Sequence, residues 1–546
     1  MNGPWPEHTP STLHSANLSD TAIQRRHANR DLAPESIQNA VVETIRCYVD
    51  FALTSGPAKA AEADHVSGVR PLFSRNQVEY NHTRLCPCPP CDTKGTLMSS
   101  QTRRSFLQGS SVAVASGVLL SHLDQVAKAQ VSERVRVGVM GSAGRAASLI
   151  ASFAANKSVE IVAIADIDAN RLPRGLENAE KLQGKKPRGE SDFRKLIDDK
   201  SIDAIVIGTP DHWHAIPTIL ACQAGKDVYV EKPDSHNIVE GMRMVAAMRK
   251  HKRVVQMGSQ HRSTERMQSA IEFVKTGKLG RCVVAKAWES SKQGALPVRP
   301  DGTPPAGVDY DMWLGAAQKR PFNPNRFHGN WRWFYDFGTG DLGNDGVHRL
   351  DMAVAVLAAA CEAQKDEPLG LPTSVFANGG KWYFNDAQEF PDTLQVNYEF
   401  GSGNVKDGKH PKLLTYEMRV WTPYGYLGES EGSALFGDQG YIVLGNSRWI
   451  AYGKGGEVLA KGEGDSHEKP HVQNFIECIK SRAKPYCDLE TIGHPASVLC
   501  HAGNISARLS RKLTLDSATE TFVGDAEANA LRGRTEWRKP WVLPEV

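Results

Sequence analysis

Hydrophobic and polar positions alternate in two different ways along the middle of this chain. Ala204–Ile207 is a run of four apolar residues between polar neighbours, which is typical of a strand buried on both faces. From Ala215 the apolar residues recur at steps of three and four, which predicts a helix, and Gly225 supplies its C-terminal stop. Residues 228–230 form the next apolar strand. This order predicts a parallel crossover unit, whose polar loops lie at the edge of the sheet where such folds bind ligands.

The same alternation continues on both sides of this unit. Three further strands are predicted at 135–140, 161–165 and 254–257. Three further helices are predicted at 147–153, 193–197 and 238–249. Strands that alternate with helices indicate a doubly wound parallel sheet, so residues 133–260 are predicted to form an N-terminal α/β domain of the Rossmann type.

The pattern changes after residue 260. Short strand-like segments lie between glycine-rich turns, without regular helices between them, at 282–288, 374–377, 393–400, 412–420 and 441–444. Such segments predict an antiparallel sheet, and we expect residues 261–475 to form an α+β domain with an open, mostly antiparallel sheet. Apolar helical stripes near the C-terminus lead us to expect that residues 476–546 form helices and a tail that pack back on the core.

Composition narrows the class of protein. The chain is 40% hydrophobic and 23% charged, as ordinary globular domains are. Its 546 residues are enough for two or three such domains. A net charge of +3 gives no electrostatic footprint for nucleic acid, and no apolar run reaches the ~18 residues of a membrane span. Ten cysteines in such a length do not make a disulfide framework. The Cys-Pro-Cys-Pro-Pro-Cys run at 86–91 lacks a second ligand cluster, so no metal site is predicted.

The first 130 residues show no recognisable domain pattern, but they contain a segment with the features of a targeting signal. The twin arginine Arg103-Arg104 precedes an apolar stretch at 110–120 and an Ala-Lys-Ala site. This order resembles a twin-arginine (Tat) export signal over residues 98–129, which predicts recognition by the Tat machinery and a periplasmic or otherwise exported protein. Because a signal belongs at an N-terminus, residues 1–97 are expected to be a disordered or mis-annotated extension.

A glycine-rich turn joins the first predicted strand to the first predicted helix. It reads Gly141, Ser142, Ala143, Gly144 and Arg145. Turns of this kind bring backbone N–H groups close to a pyrophosphate at a helix N-terminus. An ordinary strand-to-helix turn would read similarly, because alanine replaces the second glycine of the dinucleotide-binding fingerprint.

An acidic residue ends the second predicted strand. Asp166 lies 25 residues after Gly141, where a carboxylate accepts hydrogen bonds from the ribose hydroxyls and repels a 2′-phosphate. This position favours NAD as the cofactor, while Arg171, one helical turn later, leaves NADP open.

Three short motifs follow one another around the central crossover unit. Thr209, Pro210 and His214 form T-P-x-x-x-H, an A-G-K tripeptide comes next, and Glu231 and Lys232 open E-K-P. Together they resemble the Gfo/Idh/MocA family of nicotinamide-dependent oxidoreductases. The alternative is an unrelated α/β domain with a chance match.

This resemblance implies roles for the matched residues. The cofactor residues on the nicotinamide side would be Thr209, Pro210, His214, Glu231, Lys232 and Gln260. Lys232 would also hydrogen-bond the substrate oxygen at the carbon that loses hydride, and would assist its proton transfer. A lysine with an ordinary pKa of ~10.4 is a good donor but a poor base at pH 7, and a plain surface cation is the alternative. Arg262 is a candidate substrate contact.

A second polar set lies in the other predicted domain. Asn344, His348 and Asp351 are spaced to share one face of a helix. Family dehydrogenases commonly have Asp-x-x-x-His here, so the resemblance implies that His348 takes the substrate hydroxyl proton and that Asn344, in place of Asp, orients the substrate. Asp351 could raise the pKa of His348 from the next turn, whereas Asp345 is expected to point elsewhere.

Alternatives remain open for these residues. His348 could simply pack a helix, or could bind a metal together with Asp351 and His328. Trp333, in an aromatic run, suits either the C–H face of a sugar ring, as a substrate-binding residue, or ordinary core packing.

The sequence supports three hypotheses of different classes. The first is an exported NAD(P)-dependent oxidoreductase that transfers hydride between nicotinamide and a carbinol carbon of a sugar, polyol or related carbohydrate. The second is a glycosidase-type enzyme that uses tightly bound NAD in a redox-neutral cycle of oxidation and elimination. The third is a non-catalytic sugar or nucleotide sensor. The resemblance, which covers about residues 133–520, also implies a homo-oligomer.

Overall fold

The computed structural model describes residues 134–464 and 468–546 of the chain. The predictions of an extension at 1–97 and of a Tat signal at 98–129 lie outside these described residues.

The first domain is built on a six-stranded parallel sheet. In chain order its strands are β1 (Val135–Met140), β2 (Val159–Ala165), β3 (Arg188–Glu190), β4 (Ala204–Ile207), β5 (Asp227–Glu231) and β6 (Val255–Gly258). They lie in the order β3-β2-β1-β4-β5-β6, and every neighbouring pair is parallel. This is the strand order of doubly wound dinucleotide-binding folds, so the predicted Rossmann sheet is confirmed.

Helices cover both faces of this sheet. They are α1 (Arg145–Ala154), α2 (Leu172–Gln183), α3 (Arg194–Asp198), α4 (Ala215–Gln223) and α5 (Ile238–His251). One hydrophobic cluster contains Phe153 of α1, and another contains Ile219 of α4 and Met244 of α5. Because β4 is buried along its whole length between these clusters, its sequence is a continuous apolar run.

The second domain is built on a ten-stranded mixed sheet. Its strands are β7 (Cys282–Glu289), β8 (Ser374–Gly380), β9 (Thr393–Phe400), β10 (Lys412–Arg419), β11 (Gly432–Gly437), β12 (Tyr441–Leu444), β13 (Arg448–Tyr452), β14 (Val458–Glu463), β15 (Leu513–Asp516) and β16 (Thr521–Phe522). They lie in the order β14-β13-β12-β11-β7-β10-β9-β8-β15-β16. β7 pairs with β10 in parallel, and the other pairs are antiparallel. The prediction of an open, mostly antiparallel sheet is confirmed.

The expectation that no regular helices separate these strands is wrong. The domain contains α6 (Glu265–Lys275), α7 (Tyr310–Leu314) and α8 (Val347–Gln364). α8 packs across β7 and β11 and is buried on most sides, so it lacks the one-sided apolar period that identifies a surface helix. Within 134–464 and 468–546, no helix is both long enough and apolar enough to cross a membrane.

The C-terminal segment contacts both domains. Its helices are α9 (Glu468–Ser481), α10 (His494–Leu509) and α11 (Ala526–Ala530). Phe475 of α9 packs edge to face against Phe153 and Tyr229 in the first domain. α10 packs against α5 on one side and β8 on the other.

A buried ion pair fixes the start of α10 to the loop that follows β5. His494 Nδ1 lies 3.1 Å from Asp234 Oδ2, and its Nε2 lies 2.9 Å from Glu520 Oε2. Burial alone would lower the pKa of His494, but the Asp234 and Glu520 carboxylates raise this pKa to about 9. The protonated imidazole therefore ties together three segments that are distant in sequence.

Replacing His494 with glutamine is expected to remove a pH-dependent part of the stability. The folded-state pKa lies above the unfolded value of about 6.5, so this stabilisation, about 3 kcal/mol, is complete below pH ~6.5 and is lost as the pH rises through about 9. Thermal midpoints of the wild type and His494→Gln should differ most at pH 6 and converge near pH 9.5. A difference that stays constant over this window contradicts the ion pair; His251→Gln, at the end of α5, serves as the control.

Candidate active site

The predicted residues of the first domain lie along one edge of the parallel sheet. Gly141 follows β1, Asp166 follows β2, Thr209 follows β4, Lys232 follows β5 and Gln260 follows β6. These are the carboxyl ends of the strands, where open α/β sheets bind their ligands.

The glycine turn after β1 is shaped for a close approach of backbone to ligand. Gly141 has a φ of 92°, and a Cβ there would lie 2.9 Å from the Cβ of Ala146 and 3.3 Å from the carbonyl oxygen of Gly208. Gly144 also has a positive φ, 55°, just before α1, and the helix has no side-chain cap. The first N–H groups of such a helix can bind phosphate oxygens. The turn therefore fits the pyrophosphate of a dinucleotide.

Asp166 is held against this turn. The backbone N–H and the hydroxyl of Ser142 donate to Asp166 Oδ2 at 2.8 and 2.5 Å, and the N–H of Asp168 donates to Oδ1 at 2.9 Å. A carboxylate has about four acceptor positions, so Asp166 retains capacity for ribose hydroxyls.

A cavity of about 260 Å³ lies beside the glycine turn and Asp166. Its lining also includes Arg171, Thr209, Pro210, Trp213, Trp313, His328, Trp331 and Arg332. The cavity therefore combines apolar walls with a few polar groups, as small-molecule sites usually do. The last four of these residues come from the second domain, and sequence reasoning did not assign them to the cofactor because nothing in their spacing joins them to the glycine turn.

Three predicted cofactor residues form one hydrogen-bonded cluster. Arg145 Nε donates to Glu231 Oε1 at 2.8 Å, and Gln260 Nε2 donates to the same oxygen at 3.2 Å. Arg145 also pairs with Glu468 of α9. The structure thus brings the first, fifth and sixth strand ends together through side chains that are far apart in sequence.

His214 joins the two central loops. Its Nδ1 lies 2.7 Å from the carbonyl oxygen of Pro233, and its Nε2 lies 2.9 Å from that of Thr209. The ring is buried. In this structure His214 therefore fixes the T-P and E-K-P loops relative to each other.

Lys232 reaches across to the second domain. Its side chain is 14% exposed, and Nζ lies 3.7 Å from Asp345 Oδ1. Nζ also donates to the backbone carbonyl of Asn344 and, at 3.3 Å, to Asn344 Oδ1. Asp345 was expected to point away from His348, and its carboxylate lies beside Lys232. Leu342–Gly346 forms a π-helical turn, and this wider turn changes which side chains share a face.

His348 lies at the start of α8, near Lys232. Its Nδ1 is buried without a hydrogen-bond partner, and its ring centroid lies 5.3 Å from that of His261. Burial, Lys232 and His261 together hold the pKa of His348 well below its ordinary value. The imidazole is therefore neutral at pH 7 and able to accept a proton.

Asp351 does not raise the pKa of His348. Arg262 pairs with Asp351 Oδ1 at 2.7 Å, and the Ser259 hydroxyl donates to Oδ2 at 2.8 Å. Both oxygens of this buried carboxylate are thus engaged beneath the site.

Two protein-family models match the chain, one in each domain. The model described as an oxidoreductase family, NAD-binding Rossmann fold, matches residues 135–259, and the model of its C-terminal alpha/beta domain matches 282–410 and 461–543. An uncharacterized oxidoreductase, YrbE of Bacillus subtilis (strain 168), is 30% identical over 323 residues, which are 58% of this chain and 76% of that protein. The chain belongs to the Gfo/Idh/MocA oxidoreductase family. It is an NAD(P)-dependent oxidoreductase, and the predicted fold, family and NAD cofactor are confirmed.

Other similar proteins show how far the likeness extends. A glycosyl hydrolase family 109 protein of Solibacter usitatus (strain Ellin6076) is 31% identical over 159 residues, 27% of this chain and 36% of that protein. The fold also matches a solved structure of levoglucosan dehydrogenase in complex with NADH, with a TM-score of 0.53 and 17% sequence identity. The match covers 70% of this chain and 100% of the levoglucosan dehydrogenase chain. At this identity the structural match shows the shared fold.

Two predicted substrate residues of this Gfo/Idh/MocA oxidoreductase are buried. Arg262 is 8% exposed and pairs with Asp351, and Trp333 is 5% exposed within the main hydrophobic core. Their substrate roles stay predictions. Trp331, two residues earlier, lines the cavity instead.

The alternative metal set of His328, His348 and Asp351 is not assembled. His328 Nε2 lies 3.1 Å from Asp168 Oδ2 beside the cavity, while Asp351 pairs with Arg262. Each side chain therefore has a separate environment.

An acidic cluster beside Lys232 was missed by sequence reasoning. It comprises Glu289, Asp341 and Asp345, which come from the end of β7 and from the turn before α8. Burial and then the neighbouring carboxylates raise the pKa of both Glu289 and Asp341. Since the two segments are about fifty residues apart in sequence, no spacing rule could have joined them.

Proposed function

We propose that this oxidoreductase transfers hydride between NAD and a carbinol carbon of a sugar, polyol or related carbohydrate. The observation that carries the proposal is the contact of Lys232, from the first domain, with Asn344, four residues before His348 in the second domain, at the dinucleotide-binding edge of the sheet. An amine donor and a neutral imidazole are the two groups needed to handle the proton of a hydroxyl while its carbon loses hydride.

The two side chains have complementary tasks. Lys232 is held by Asn344 and Asp345 and, as an ammonium group, would donate a hydrogen bond to the substrate oxygen. His348, neutral at pH 7 because its pKa is lowered, would take the hydroxyl proton. When bound, NAD supplies the hydride acceptor. Asn344 would orient the substrate through the amide that already lies beside Lys232.

The carbohydrate substrate class rests on relatives. The glycosyl hydrolase family 109 protein and levoglucosan dehydrogenase are both named for activity on carbohydrates. We therefore extend that class to this chain, with no single sugar favoured.

Export and oligomerisation belong to the proposal as well. The twin arginine at Arg103-Arg104 is the basis for export by the Tat route to the periplasm. An exported enzyme would carry its NAD with it, loaded before export. A homo-oligomer follows from the family resemblance and would be tested by light scattering.

A redox-neutral glycosidase is the second candidate. It is favoured by the match to a glycosyl hydrolase family 109 protein, which is 31% identical over 159 residues. In this cycle bound NAD would oxidise the sugar transiently, allow elimination of the glycosidic substituent, and be regenerated. Such a cycle suits a compartment without free cofactor.

The first experiment identifies the nucleotide that the protein already holds. The full chain would be purified without added nucleotide and denatured, and the released dinucleotide identified by mass and absorbance. We expect NAD, at close to one per chain if the protein is loaded before export. NADP would contradict the assignment to Asp166, and an empty protein would contradict loading before export.

Turnover then separates the two enzymatic candidates. Sugars and polyols with added NAD should raise the absorbance at 340 nm if the enzyme is a dehydrogenase. Glycosides with no added NAD should release their substituent if the enzyme is a redox-neutral glycosidase. Neither signal across a broad panel, with intact bound NAD, would favour a sensor and contradict the proposed function.

A further inference from the structure

Three carboxylates converge beside the active site, on the face of the second sheet that α8 covers. One oxygen each from Glu289, Asp341 and Asp345 lies within 4.8 Å of the other two. Glu289 and Asp341 are 0% and 1% exposed, and the side chain of Asp345 is 38% exposed. Asp345 therefore opens the cluster toward Lys232 and the substrate side.

The neighbouring groups do not fully satisfy these carboxylates. Gln293 donates to Asp341 Oδ1 at 3.1 Å, and Ser291 donates to Glu289 Oε1 at 2.6 Å. Asp341 Oδ2 is buried and has no hydrogen-bond partner. Buried carboxylate oxygens normally have partners or coordinate a metal.

The nearby cations do not form close ion pairs with all three carboxylates, although the charge of Arg332 also acts on Asp341. Arg349 Nε lies 3.5 Å from Glu289 Oε2, but the same guanidinium also pairs with Glu431. Lys232 Nζ lies 3.7 Å from Asp345. Among the residues that the structure describes, Asp341 has no ion-pair partner within 4 Å, and Asp345 has only the distant Lys232.

A tyrosine on a neighbouring strand supplies an independent observation. In the parallel pairing of β10 with β7, Tyr416 is opposite Ala287 and Met418 is opposite Glu289, so Tyr416 and Glu289 project from the same face of the sheet. The Tyr416 hydroxyl is buried without a hydrogen-bond partner, and a Cβ on Gly346, next to Asp345, would lie 2.5 Å from it. A polar group faces the cluster, and no described protein group satisfies it.

We propose that Glu289, Asp341 and Asp345 bind a divalent cation of the Ca²⁺ or Mn²⁺ class. An all-oxygen ligand set is the one that such hard cations prefer. Ligands on opposite sides of Ca²⁺, at its usual distances, are about 4.6–5.2 Å apart, and the three ligand oxygens of this cluster all lie within 4.8 Å of one another. Waters would complete the coordination, with the Tyr416 hydroxyl as a partner for one of them.

This proposal goes beyond the proposed function, because cation binding can be measured without turnover. The sequence led us to expect no metal, and this proposal replaces that expectation. The partly exposed Asp345 is the member of the cluster that lies next to Lys232. A cation here would lie on the substrate side of the active site, where sugar hydroxyls are also suitable oxygen ligands.

Mn²⁺ titration of the full chain tests the site. The protein would be treated with EDTA and desalted, and free Mn²⁺ followed by its electron paramagnetic resonance signal, with Ca²⁺ as a competitor. We expect one Mn²⁺ bound per chain and displaced by Ca²⁺. Asp341→Asn should weaken Mn²⁺ binding at least about tenfold, whereas Glu399→Gln, which changes a carboxylate on β9 of the same sheet, should not alter it.

Two outcomes would overturn the proposal. The first is that the wild type binds no Mn²⁺ at millimolar concentration and that Asp341→Asn melts at the same or a higher temperature than the wild type. This result is expected if the three carboxyl groups only share protons and bind no cation. The other is unchanged Mn²⁺ binding in both Asp341→Asn and Asp345→Asn. The second variant changes a half-exposed side chain, so it keeps the test decisive if Asp341→Asn fails to fold.

Discussion

Replacing Lys232 with methionine is expected to lower kcat by about 10²–10⁴-fold while bound NAD is retained. Methionine keeps the length of the side chain but removes the ammonium group that lies 3.3 Å from Asn344 Oδ1 and 3.7 Å from Asp345 Oδ1. A positioned proton donor or acceptor contributes about this factor to catalysis. The measurement is kcat with the best carbohydrate from the panel, alongside the amount of dinucleotide released on denaturation.

Lys226→Met is the matched control for Lys232→Met. Lys226 is also a buried lysine, and its Nζ donates to the carbonyl oxygens of Asp199 and Ile202 at 2.7 and 2.8 Å. It precedes β5, whereas Lys232 follows it, so the two lie at opposite edges of the sheet. We expect Lys226→Met to lower the melting temperature and leave kcat within about threefold. Equal losses of kcat in both variants would assign Lys232 a purely structural role.

The fold of the first domain could be predicted because its physical signals are local. β4 is buried on both faces and therefore reads as an uninterrupted apolar run. Gly141 and Gly144 take positive φ values that glycine tolerates best. These constraints act within a few residues, so they are visible in a single sequence.

The second domain was harder to predict because its constraints are not local. α8 is buried on most sides, so no polar stripe distinguishes it from loop or strand. β13 and β14 extend the sheet beyond the predicted strands, and β13 takes its register from β12 and β14 from β13. Tertiary contacts decide such elements.

In the candidate site, too, the residues in local sequence motifs could be predicted, whereas the features that depend on distant contacts could not. The resemblance identified Lys232 and His348 from contiguous motifs, and the structure brings both to one place. The π-helical turn at Leu342–Gly346, which brings Asp345 to Lys232, has no sequence signature. The electrostatic environment of His348 also depends on residues from three separate segments, so the direction of its pKa shift required the structure.

Replacing His348 with asparagine is expected to lower kcat/KM for carbohydrate oxidation by about 10²–10³-fold and to change its pH dependence. The pKa of His348 is held well below the ordinary value by burial, Lys232 and His261. A base is active above its pKa, so the wild type should keep full activity as the pH falls from 8 through about 6.5, the usual histidine pKa. Without the imidazole, kcat/KM should instead rise with pH, because hydroxide or water must accept the proton.

The pH profile of kcat/KM distinguishes catalysis by His348 from helix packing. His236→Asn is the matched control, since His236, like His348, is half-buried with a buried, unpartnered Nδ1 and a lowered pKa, and its Nε2 lies 2.9 Å from the carbonyl oxygen of Tyr335. That control should reduce stability and leave the shape of the profile unchanged. A wild-type profile that falls below an apparent pKa near 7, or a His348→Asn profile parallel to the wild type, would contradict the role of His348 as the base. Because a packing defect lowers activity equally at every pH, only loss of the base can convert a flat profile into a rising one.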